Sequence, residues 1–82
     1  MESYKNFQNN EEFRRELDRL DRASSGTYIG DSQYGPISEW NVSNITDMSY
    51  VFYNKDKFNQ PLNWTVSSVR DMSYMFAGAK KF

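Results

Sequence analysis

The chain has 82 residues, room for one small domain, and its ten basic and eleven acidic residues leave a net charge of −1. That balance removes the electrostatic case for nucleic acid or an anionic membrane surface, and no apolar run approaches the ~20 residues of a membrane-spanning helix. With neither Cys nor His present, disulfide staples, thiolate chemistry, the commonest zinc ligands and the usual general base are all missing.

Aromatic residues make up 17% of the chain, so the core must be built from Trp, Phe, Met and Tyr with help from Val, Ile and Leu. A fold of ~70–80 residues usually leans on a staple, a metal or a partner. A partner is the support left to this one. Residues 1–22 are too polar for the core of a signal peptide, which favours an intracellular or virion-associated setting over secretion.

Residues 1–8 are polar apart from Tyr4 and Phe7, either a frayed start or a short arm on the first helix. That helix is predicted over 10–24. Phe13, Leu17 and Leu20 fall at i, i+4, i+7, one stripe of a 3.6-residue period. Asn9 or Asn10 suits the N-cap, and Glu12 stands three after Asn9 as in a capping box. Glu11 with Arg15, Arg14 with Asp18, and Asp18 with Arg22 are i,i+4 opposite-charge pairs. Their alternating signs describe a solvated face rather than a nucleic-acid helix. Gly26 fits the C′ position. Residues 25–36, with Gly26, Gly30, Gly35 and Pro36, read as a connector. Residues 1–36 thus form a cap helix and a Gly-rich connector.

Residues 37–82 contain a repeat, 37–60 and 61–82. Shifted by 24 residues, Trp64–Phe82 lies over Trp40–Phe58 with ten of 19 positions identical. A fixed period in this range marks an array of stacked units. In each unit, Trp40-x-Val42 or Trp64-x-Val66 suits a short strand. Thr46 suits the N-cap of a two-turn helix whose inner face is Met48, Val51 and Phe52, with Asp47 in its first turn. The fold class expected is α/β: a short leucine-rich-repeat-like solenoid of two strand–helix coils behind an N-terminal helical cap.

The pattern W-x-V-S-x-[IV]-x-D-M-S-Y-x-F, the Met75-Phe76 pair and the Phe58-Asn59-Gln60-Pro61-Leu62 join resemble the BspA-like leucine-rich repeat superfamily. Within it they are closest to the mycoplasma-type surface-lipoprotein repeat of unknown function. The resemblance covers residues 34–82. It implies stacked units used for protein binding or adhesion, with no catalytic residues to carry over.

Chemistry finds little purchase in the residues themselves. Asp47 and Asp71 could be an acid–base pair or calcium ligands, but helix N-termini explain them, and one carboxylate per coil is few for calcium. Trp40 and Trp64 could stack on a sugar or on each other in the core. Ser43, Ser49, Ser67 and Ser73 have no His to activate them. The sequons at Asn41, Asn44 and Asn63 need a eukaryotic secretory route to matter. No catalytic residue, metal ligand or cofactor is expected.

Tyr50, Tyr53 and Tyr74 flank the helix stripe. They form either an aromatic strip for a partner or a cover over the short helices. Repeats cannot bury their apolar faces alone and terminal units need polar caps. The far end of the second unit, formed by Trp64, Val66, Val69, Met72, Phe76 and Phe82, has none. That face is expected to meet another protein chain, another copy or further sequence. The function read from the chain is a non-enzymatic protein–protein interaction module, a small structural or accessory subunit. A carbohydrate-binding or adhesion module is the alternative.

Overall fold

The computed structural model describes residues 4–80. One α-helix, α1 (Asn10–Ala23), lies across a double layer of turns built from the two repeat units. Asn9 caps α1, its side chain accepting the Glu12 N–H at 2.9 Å. Glu12 reaches back to the N–H of Gln8 at 3.2 Å, one residue before the usual capping-box partner. At the other end Ser24 is the C-cap, and Ser25 takes the left-handed position at φ 54°. Gly26, one residue beyond the place expected for it, follows at φ 86° and donates to Asp21 O at 2.9 Å. This six-to-one closure satisfies a terminal carbonyl of the helix.

Phe13, Leu17 and Leu20 are the buried stripe of α1, as their spacing predicts. They join Phe7, Tyr28, Ile37, Trp40, Val42, Ile45, Met48, Val51, Phe52, Phe58 and Met75 in one core. Its centre is aromatic. Phe52 and Phe58 stack at 3.9 Å, and Tyr28 meets both edge-on. Phe7 stacks on Tyr34 at 3.9 Å, which fastens the N-terminal arm over α1 and the connector.

The expected strand–helix solenoid does not form. Among the described residues there is no sheet, only a single parallel bridge between Asp47 and Asp71, and no α-helix besides α1. Trp40 and Val42 do both face the core, yet no neighbouring strand runs beside them. Ile37–Glu39 is a single 3-10 turn.

Where short helices were expected, each unit makes a run of tight turns. Val51, Tyr53 and Lys55 donate to the carbonyls three residues back, those of Met48, Tyr50 and Phe52. Met75, Ala77 and Ala79 do the same in the second unit. The alternate N–H groups leave their own unit altogether. Met48, Tyr50, Phe52 and Asn54 donate to Asp71, Ser73, Met75 and Ala77 O at 2.8–3.0 Å. In an α-helix those N–H groups would bond four residues back. Here left-handed residues divert them: Tyr50 (φ 63°) and Asn54 (φ 58°), matched by Tyr74 (φ 57°) and Gly78 (φ 81°). An isolated two-turn helix is marginal, whereas bonds between units hold an equal number of donors and join the two layers. We call the turn runs with their flanking residues coil 1 (37–60) and coil 2 (61–80).

Candidate functional site

Coil 1 is covered on both sides. On one side lies coil 2. On the other lies α1, whose polar side chains bond the main chain of coil 1. Arg14 Nη2 donates to Ser49 O at 2.8 Å and Asp47 O at 3.4 Å, and pairs with the Asp47 carboxylate at 3.3 Å. Asn10 Oδ1 accepts the Thr46 N–H at 3.0 Å, and Lys55 reaches Asp21 at 2.7 Å. In coil 2 the matching carbonyls, Asp71 O and Ser73 O, accept the N–H groups of Met48 and Tyr50. The Arg14 guanidinium therefore stands where the N–H groups of a preceding coil would stand. The expected Arg14–Asp18 pair is not made. Arg15–Glu11 and Arg22–Asp18 are, together with an unanticipated Arg19–Glu16 pair.

Asp47 and Asp71 are not helix caps, because no helix follows them. Each carboxylate accepts the N–H two residues on, at Ser49 and Ser73 (both 2.9 Å), and so starts the turn run. The Ser49 hydroxyl and N–H hold Asp47 below the usual carboxylate range, with Arg14 adding to the effect. The Ser73 hydroxyl and N–H do the same for Asp71. Both carboxylates are thus occupied in turn formation.

The two tryptophans face inward. Their rings stack at 6.4 Å and 7°. Trp40 Nε1 donates to Gly35 O and Trp64 Nε1 to Ile37 O, both at 2.7 Å. Trp64, Val66 and Val69 are partly buried against the core. The cleft between α1 and coil 1, beside Tyr50, is about 140 Å³, and surface hollows of about 300–420 Å³ lie elsewhere.

Of the seven exposed large apolar residues among those described, three (Met72, Tyr74 and Phe76) belong to coil 2. Met48 and Phe52 are fully buried, but their counterparts Met72 and Phe76 are 45% and 37% exposed. Tyr50 and Tyr74 are exposed in both units and stack at 5.2 Å, with Tyr53 edge-on to Tyr50 at 5.3 Å. Of the residues expected to meet a partner, Tyr50, Tyr53 and Tyr74 form one exposed aromatic strip, and Met72 and Phe76 are exposed on coil 2. Trp64 and Val69 are partly buried against the core, and Phe82 is outside the described residues. Arg14 was missed as the residue that closes the opposite side, since its i,i+4 spacing from Asp18 seemed to account for it.

These features define a two-unit repeat module, capped by a helix on one side. The family model described as Mycoplasma protein of unknown function, DUF285, matches residues 20–82, and the chain belongs to that family. The match carries the mycoplasma-type part of the resemblance and not the wider leucine-rich-repeat one. Neither the curated proteins nor the solved structures contain a match. No helix among the described residues is long and apolar enough to cross a membrane.

Proposed function

We propose that the chain is a non-enzymatic module for protein–protein interaction, a small structural or accessory subunit that engages its partner through coil 2. The supporting observation is the unequal fate of identical residues. Met48 and Phe52 are fully buried, while Met72 and Phe76, the same residue types one unit on, are 45% and 37% exposed. Exposed large apolar side chains mark interaction surfaces, and the exposed tyrosines Tyr50, Tyr53 and Tyr74 are of a type favoured at such surfaces. The adhesion alternative draws no support from the tryptophans, whose rings and indole N–H groups are engaged internally.

A photo-crosslinking amino acid placed at Met72, with the still more exposed Ile29 on the connector as the control, tests the proposal in extracts of the native source. A discrete adduct is expected from position 72 and none from position 29. Phe76→Asp should abolish it without changing the far-ultraviolet spectrum of the chain. Equal labelling from both positions, or none from position 72, would sink the reading.

A further inference from the structure

Tyr50 and Tyr74 occupy the same place in successive coils, and the backbone holds them in register. The Tyr50 N–H donates to Ser73 O and the Phe52 N–H to Met75 O, both at 3.0 Å. Both tyrosines are left-handed, at φ 63° and 57°, so equivalent turns project both rings the same way. The rings stack at 5.2 Å with 19° between their planes, and the two residues are 52% and 62% exposed. The other tyrosines are placed differently. Tyr53 meets Tyr50 edge-on, at 66°. Tyr28 is buried, Tyr34 is stacked on Phe7, and Tyr4 lies over Gly35.

We infer that Tyr50 and Tyr74 form an oxidative cross-linking site, which a one-electron oxidant of the peroxidase and hydrogen peroxide class closes into a dityrosine bridge between coil 1 and coil 2. Each phenol gives one electron and its hydroxyl proton to the oxidant, and one hydrogen peroxide becomes two waters. The two phenoxyl radicals carry spin on the carbons ortho to oxygen, in lobes perpendicular to the ring planes. Stacked rings turn those lobes toward each other, and the two unpaired electrons pair in a new carbon–carbon bond. Each bonded ortho carbon then loses its hydrogen as a proton and its ring oxygen regains one, which restores both phenols. Tyr53 presents an edge rather than a face to Tyr50, so its lobes point elsewhere. A tyrosine without a stacked partner couples only by meeting another chain, whereas this pair meets within one chain at high effective concentration. The chain has no cysteine, and the bridge supplies the covalent staple on which folds of this size often depend. Closing that loop restricts the unfolded chain and so stabilises the folded one. The site needs no partner at coil 2 and stands independently of the interaction role proposed above.

The test treats the full chain, at micromolar concentration, with a haem peroxidase and hydrogen peroxide. Dityrosine fluorescence should appear in a product of monomer size, and its yield per chain should survive dilution by about tenfold. Trypsin should release residues 23–55 joined to residues 71–80, which a bridge between Tyr50 and Tyr53 would leave separate. Tyr50→Phe and Tyr74→Phe keep the ring stack and should each cut the joined peptides by about tenfold or more. Tyr53→Phe should leave them. The bridged chain should melt about 4 °C or more above the untreated one. The inference is overturned if coupling runs chiefly between chains, if Tyr53→Phe removes the joined peptides, or if either of the other two variants retains them. Equal yield from the chain unfolded in urea would overturn it too, since the stack would then contribute nothing. A bridge that forms without raising the melting midpoint would overturn its role as a staple.

Discussion

Coil 1 and coil 2 share ten of 19 aligned residues but not the same fate. Coil 1 sits between α1 and coil 2 and buries Met48, Val51 and Phe52, whereas coil 2 buries only Met75 of the matching three. Identical side chains therefore contribute differently according to the layer beyond them. Burial belongs to a position in the stack and not to a motif, and the comparison can be broken at several places.

The largest effect should come from the ring at the centre. Phe52→Ala removes a fully buried ring stacked on Phe58 and should cost about 3–5 kcal/mol. Phe76→Ala, at a site already 37% exposed, should cost about 1–2 kcal/mol, scaled to the area it buries. Urea denaturation of both variants checks this, and equal costs would refute the asymmetry. Next comes Gly78→Ala, which would place a Cβ against the Asn54 side chain at φ 81°. It should cost about 1–3 kcal/mol. Asn54→Gly, at a left-handed position glycine tolerates, should stay within about 0.5 kcal/mol. A neutral Gly78→Ala would show that the turn run does not need its left-handed closing residue.

Arg14→Met loses two carbonyl contacts and the Asp47 pair and should cost about 1–2 kcal/mol. Arg70→Met, at the aligned position of Thr46 in an exposed stretch, should cost about 0.5 kcal/mol or less. Thermal melts that rank these two the other way would mean α1 is not holding coil 1 through Arg14. The smallest effect is acidic. Asp47 and Asp71 titrate below their ordinary range in the folded chain. Their contribution is therefore complete above the unfolded value near ~4 and fades as pH falls through the lower folded values. Asp47→Asn should flatten that acid limb more than Asp71→Asn, because only Asp47 pairs with Arg14. The gap should narrow in high salt. A limb unchanged in Asp47→Asn would assign acid sensitivity to other carboxylates.

The core was legible in the sequence because burial follows hydrophobic spacing whatever the backbone does. The repeat period, the Asn9 cap and the stripe Phe13, Leu17, Leu20 all carry over. The local structure of the repeat was not legible. Met48, Val51 and Phe52 stand at i, i+3, i+4, and a run of three-residue turns sets that spacing inward as well as a helix does. The residues that decide between the two are Tyr50 and Tyr74. Both are left-handed, and tyrosine gives no warning of it, as glycine would. The Arg14 role was hidden for a similar reason: Asp18 stands at helical spacing, and the carbonyls Arg14 actually serves lie 33 and 35 residues away.

The ladder from Met48, Tyr50, Phe52 and Asn54 to coil 2 also orders events in time. Every bond of it joins residues 23 apart in sequence, so each costs about the same loop closure. None forms usefully until coil 1 has its turns to offer. Those turns depend on α1, so the nucleus should comprise α1 and coil 1, with coil 2 docking after the main barrier. Mutations in coil 2 should then speed unfolding and leave the folding rate almost unchanged, while Arg14→Met slows folding. A chevron in which coil 2 variants slow folding would reverse that order.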